Sequence, residues 1–129
     1  MQIHKLTVLV MLICSFAAQA EVPLSRSDIL GTWQIDKESM HSDGSNGKAS
    51  NATWTFKEDG TMEGISQDAD EHARVTQLRA SLNYSIENGK ILKQAAAGRS
   101  KMETCMAVEK EASKMVLKCQ TVFFFMTKK

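Results

Sequence analysis

Apolar and polar residues alternate along most of this chain in short runs, and clusters of small polar residues separate the runs. In Thr32–Asp36, Trp33 and Ile35 share one face. In Ala52–Lys57, Ala52, Trp54 and Phe56 point one way, while Thr53, Thr55 and Lys57 point the other. Glu58-Asp59-Gly60 then signals a hairpin turn, which returns Met62 opposite Phe56 and brings Gly64 near Trp54. From Thr76 a long run places Thr76, Leu78, Ala80, Leu82, Tyr84 and Ile86 on one face. Asn88-Gly89 is the strongest two-residue hairpin signal there is, and Lys90–Gln94 returns. Met102–Val108, Met115–Cys119 and Val122–Thr127 complete a meander. His41–Ser50 and Ala95–Ser100 read as loops, and Ser25 or Ser27 can cap a short helical turn that runs into Ile29 and Leu30. About eight strands with turns roughly every 8–12 residues predict an all-β sandwich or closed barrel.

The first residues have a different pattern. His4 and Lys5 precede an apolar stretch from Leu6 to Phe16, and Ala18-Gln19-Ala20 supplies small residues ahead of Glu21. This is the three-part pattern of a secretory signal peptide. The apolar stretch falls short of the ~20 residues of a membrane span. Cys14 comes after Ile13, not after the small residue of a lipid-attachment motif. The expectation is a signal peptide at 1–20, one domain at 21–129, and an exported, periplasmic or secreted product.

Charge narrows the partners. The whole chain carries 16 basic and 15 acidic residues. Removing residues 1–20 takes away one lysine, Lys5, and no acid, which leaves the domain formally neutral. A neutral, mixed surface has no electrostatic footprint for nucleic acid or for an anionic membrane.

Cys105 and Cys119 are the two cysteines of the expected mature domain. An even count in an exported domain suggests a disulfide. Their midpoint, Ala112, lies in the predicted turn Glu109–Ser113. A hairpin centred there sets the two cysteines directly opposite, within bridging distance. Ala107, Leu117 and Met115 would share that face.

The order of three elements resembles the small lipocalin-like domains of exported bacterial proteins. They are Gly31-Thr32-Trp33, then Trp54-Thr55-Phe56-Lys57-Glu58-Asp59-Gly60-Thr61, then Tyr84–Leu92 with its Asn88-Gly89 turn. The chain then ends in a strand, Phe125-Met126-Thr127-Lys128-Lys129. The resemblance covers roughly residues 28–129. It implies an eight-stranded antiparallel up-and-down β-barrel, with Gly31 and Trp33 closing one end and Lys128 over the Trp33 ring by cation–π contact. Lipocalins proper use arginine at that place and are longer, so the likeness does not imply a deep transporter-type cavity.

Candidate chemistry is sparse. Trp54, Phe56, Met62, Leu82 and Tyr84 converge on one face and form a candidate pocket for a small apolar ligand, with core packing as the plain alternative. Phe123 and Phe125 face away from Val122, Phe124 and Met126. Covered by Leu24, Ile29 and Leu30 they are core; exposed, they would mark a protein interface. Six methionines (Met40, Met62, Met102, Met106, Met115, Met126), with His41 and His72, lack the clustering of a copper site. Asp68, Asp70, Glu71 and His72 lack the spacing of a calcium loop. No metal or other cofactor is expected. Gly44-Ser45-Asn46-Gly47 misses the nucleophile-elbow pattern, and no triad is evident, so no enzyme is expected. Gln67–Arg74 reads as a polar rim loop, a lid or partner contact. The leading expectation is a binding protein for a small apolar or amphiphilic ligand. The alternative is an interaction module, an inhibitor or immunity protein acting on a periplasmic enzyme. Its marks would be exposed Phe123 and Phe125, or a Glu71, Arg74 and Arg79 rim without a cavity.

Overall fold

A computed structural model describes residues 21–67, 72 and 77–129. The expected signal peptide and most of the expected rim loop, including Asp68, Asp70, Glu71 and Arg74, lie outside the described residues.

A short helix, α1 (Arg26–Ile29), precedes eight strands: β1 (Gly31–Ser39), β2 (Lys48–Phe56), β3 (Thr61–Gln67), β4 (Gln77–Glu87), β5 (Lys90–Gln94), β6 (Met102–Lys110), β7 (Lys114–Cys119) and β8 (Val122–Lys128). Each strand pairs antiparallel with the next, and β8 pairs back onto β1. The result is a closed up-and-down barrel, which leaves no free sheet edge.

Hairpin chemistry sets the registers. Asn88 and Gly89 both have positive φ, 52° and 76°, as a type I′ turn requires. Their turn fixes Ile86 opposite Ile91 and Tyr84 opposite Lys93. Across β2 and β3, Phe56 faces Met62 and Trp54 faces Gly64. Cys105 faces Cys119 and is bonded to it. The strand β2 begins at Lys48, inside the segment expected to be loop, because polar Lys48 and Ala49 still pair with Glu38 and Lys37 of β1.

Two irregularities interrupt the simple alternation. The pairing shifts between Ile35 and Lys37 in β1 and between Ala107 and Glu109 in β6. Asp36 against β8 and Val108 against β7 are each one extra residue, which reverses the faces of the residues beyond it. In β6 this makes Lys110, not Glu109, the partner of Met115.

One end of the barrel is plugged. The hairpin turns after β2, β4 and β6 lie there, and residues 22–30 run across them. Val22 bonds to Ala107, Leu24 N donates to Gly89 O at 2.8 Å, and Arg26 Nη1 donates to Glu58 O at 3.1 Å. The α1 start is held by Asp28, whose Oδ2 accepts from Ser25 N at 2.8 Å and Ser25 Oγ at 2.9 Å. Leu24 and Ile29 join Trp33, Ile35, Phe56, Met62, Tyr84, Ile91, Met115, Leu117 and Met126 in a continuous buried core.

Candidate functional site

The two ends of the interior are filled differently. At the plugged end Trp33 is wholly buried. Its Nε1 donates to Ile29 O at 2.8 Å, which ties strand β1 to the helix. Trp33 pairs with Lys128, whose Nζ lies 5.7 Å from the ring centroid. Lys110 Nζ lies 5.5 Å from the same centroid. Both are within cation–π range. Lys110 reaches the indole only because the β6 bulge turns it inward. Gly31 beside them has φ +107°, a conformation that favours glycine.

At the other end the inward positions of β2, β3 and β4 are small: Ala52, Gly64 and Ala80. Trp54, Gly64 and Ala80 lie in one cross-strand row. The row leaves a cavity of about 410 Å³ bordered by Ala52, Trp54, Met62, Leu78, Leu82 and Lys93 among others. It lies toward the end of the barrel where β1, β3 and β5 finish. Leu78, inward by alternation, is 65% exposed at this mouth. Trp54 packs on Phe124 with ring centroids 4.8 Å apart.

Lys93 is the unexpected member. The Asn88-Gly89 register turns it inward beside Tyr84, and its side chain is only 7% exposed. A buried ammonium is costly unless paired. Its partner is Glu103, directly across on β6, whose Oε1 meets Lys93 Nζ. Lys93 Nζ also lies 5.6 Å from the Trp54 ring centroid. The signal was present in the sequence: the turn that places Tyr84 inside also places Lys93 inside, and Glu103 is two residues before the inward Cys105.

Of the five residues predicted to form a pocket, Trp54, Met62 and Leu82 border the cavity. Phe56 and Tyr84 sit beneath it in the packed core, with ring centroids 5.1 Å apart. Tyr84 Oη donates to Lys57 O at 2.6 Å. Burial pushes the Tyr84 phenol above its usual pKa of 10.0, which keeps it a neutral donor.

Phe123 and Phe125 lie on the outer side of the wall, but they form no open pair. Phe123 is buried at 6% exposure, and Lys118 lies over its ring. Phe125 is half-buried, with Lys37 Nζ 4.8 Å from its ring centroid. A Cβ added at Gly44 would come within 3.1 Å of Phe125, so the loop after β1 packs on that ring. The cover is thus this loop and two lysine stems. Leu24 and Ile29, offered by the sequence as that cover, belong to the interior core.

Met62, Met115 and Met126 fill the core, while Met40 and Met102 are exposed. Among the described residues, Glu103, Cys105 and Cys119 are close enough to share an ion. Both sulfurs are consumed by the disulfide. No helix among the described residues is long and apolar enough to cross a membrane.

No protein-family model and no curated protein matches this chain. Solved structures do share its architecture. A lipocalin-like protein from Bacteroides uniformis superposes with a TM-score of 0.62 at 15% identity, over 79% of this chain and 99% of that one. An uncharacterised protein from Bacteroides eggerthii gives a TM-score of 0.62 at 12% identity, over 79% of this chain and 100% of that one. At these identities the likeness is one of fold. The barrel is lipocalin-like.

Proposed function

We propose that this chain is an exported, non-catalytic binding protein that takes a small apolar or amphiphilic ligand into the open end of its barrel. The observation that supports this reading is the 410 Å³ cavity, whose volume falls in the range of small-molecule sites, roughly 300–1,000 Å³. The cavity exists because Gly64 and Ala80 stand where larger side chains would fill a small barrel. Export is supported by the leader pattern at 1–20 and by a disulfide of the kind that persists outside the cytoplasm.

Titration with N-phenyl-1-naphthylamine, a dye that brightens in apolar sites, tests the reading. The wild type is expected to take up one dye per barrel. Ala80→Phe should lose that uptake while keeping its melting temperature. Absence of uptake by the wild type, or undiminished uptake by the filled variant, would count against the cavity as the site.

A further inference from the structure

The Lys93–Glu103 pair constrains the ligand more tightly than the apolar walls do. We infer, building on the binding reading above, that the ligand is an uncharged apolar molecule carrying one hydrogen-bond acceptor, such as a ketone, ester or amide, which meets Lys93 Nζ.

Of the two charged partners, Lys93 borders the cavity and Glu103 does not. The other basic residue on its border, Arg79, directs its guanidinium to Glu63 Oε1 at 3.1 Å and Gln77 Oε1 at 3.2 Å. Arg79 stands opposite Ile65 in the ladder, on the alternate face from Ala80 and Leu82. Ser66, in one row with Ala52 and Leu78, adds a neutral hydroxyl to the border, and the charged group turned to the ligand is therefore the Lys93 ammonium. It has three N–H donors. Its protein acceptors are Glu103 Oε1 and, at a long 3.5 Å, the carbonyl of Gln94. Two oxygen acceptors for three donors leave one N–H without an oxygen partner, and the wall of Trp54, Met62 and Leu82 offers it only the Trp54 ring face.

Charge then selects among acceptors. Glu103 already neutralises Lys93. A carboxylate or phosphate brought to the same ammonium would set two anions around one cation, away from bulk water. Like charges in such a site disfavour each other. An ammonium ligand would face Lys93 directly. A neutral carbonyl takes up the spare donor with no unbalanced charge. A wholly apolar ligand leaves that donor unused and strips any water from it, which costs affinity. The volume sets the size. At roughly 30 Å³ per non-hydrogen atom, the share of a liquid water, the cavity holds about a dozen atoms.

A matched set of four compounds tests this by calorimetric titration of the full domain: butylbenzene, butyrophenone, 4-phenylbutyrate and 4-phenylbutylamine. The ketone should bind most tightly, by about five- to tenfold over the hydrocarbon, the range expected of one hydrogen bond. The carboxylate and the amine should bind less well than the ketone. Glu103→Gln leaves Lys93 unneutralised and should make 4-phenylbutyrate the preferred ligand. The double variant Lys93→Met with Glu103→Leu removes both charges together. It avoids an unpaired buried carboxylate, and it should bring the affinities of butyrophenone and butylbenzene together. Circular dichroism establishes that each variant is folded. Tighter binding of 4-phenylbutyrate than of butyrophenone to the wild type would overturn the inference, as would an unchanged order of preference in Glu103→Gln. If the wild type binds the hydrocarbon as well as the ketone, the inference fails while the binding reading stands. If it binds none of the four and no dye, the binding reading fails too.

Discussion

The two ends of this barrel are built from the same strands with the same alternation, yet one is solid and the other hollow. At the plugged end the inward positions hold Trp33, Phe56, Tyr84 and Ile91, and residues 22–30 cover them. At the open end they hold Ala52, Gly64 and Ala80, and Leu78 stands exposed beside them. Inward direction is therefore not the same as burial. A position becomes core only when the side chains opposite it across the barrel sum to the available volume. The ends also differ in how they treat charge. Lysines lie over an indole at both ends, Lys110 and Lys128 over Trp33 and Lys93 over Trp54, but only Lys93 is also held by a carboxylate and borders the cavity.

This contrast predicts that substitutions cost stability at one end and binding at the other. The largest effect belongs to Trp33→Ala, which should destabilise by about 3–5 kcal/mol, as for other large buried aromatics. It removes the ring, the bond to Ile29 O and the platform for two lysines. Urea melts measure this, and a loss under about 1 kcal/mol would mean that the plugged end is not the stability-bearing one.

Removing the disulfide comes next. Cys105→Ala with Cys119→Ala opens a loop of 14 residues' separation, worth roughly 3 kcal/mol on the chain-entropy account. The same melts report it. Thiol labelling of the unreduced, unfolded wild type should find no reactive thiol at these two positions.

Tyr84→Phe should cost about 1 kcal/mol, the usual net worth of one hydrogen bond, because only the contact to Lys57 O is lost. The wild-type tyrosine also predicts an alkaline limb. Its folded pKa is raised, so the unfolded chain ionises first. Stability is whole below pH 10 and declines as pH rises through the folded value. Tyr84→Phe should flatten that limb, as measured by melting temperature against pH.

A smaller acid limb belongs to Asp28. The backbone N–H of Ser25, and then its hydroxyl, hold this carboxyl below its usual 3.8. The stabilisation is present above the usual value and fades as pH falls through the lower folded one. Asp28→Asn should lessen the loss of stability in acid, again read from melting temperature against pH.

The smallest stability effect is expected at the mouth. Leu78→Ser should change stability by no more than about 0.5 kcal/mol, as for other exposed sites, while weakening dye uptake. A large loss of stability from this change would erase the contrast between the two ends.

Much of this architecture could be read along the chain. Alternation in 52–57 and 78–86 named the inward residues of two strands. The Asn88-Gly89 turn set one register, and the symmetry of Cys105 and Cys119 about Ala112 set another. These are local properties, since side-chain direction has period two and a short turn admits few geometries. Lys93 was equally legible, and was missed because a charged residue is ordinarily assigned to the surface.

What only the tertiary structure decided depends on residues distant in sequence. The bulges at Asp36 and Val108 reverse the faces of every later residue in their strands, and they answer to the fit of the closed sheet, not to a local motif. The cover over Phe123 and Phe125 comes from a loop and two lysines that carry no apolar signal. The hollow end arises because Gly64 and Ala80, small residues on two strands, line up in one row beside Trp54. A strand's own sequence states which way its residues point; the volume between eight strands states whether anything fills the space.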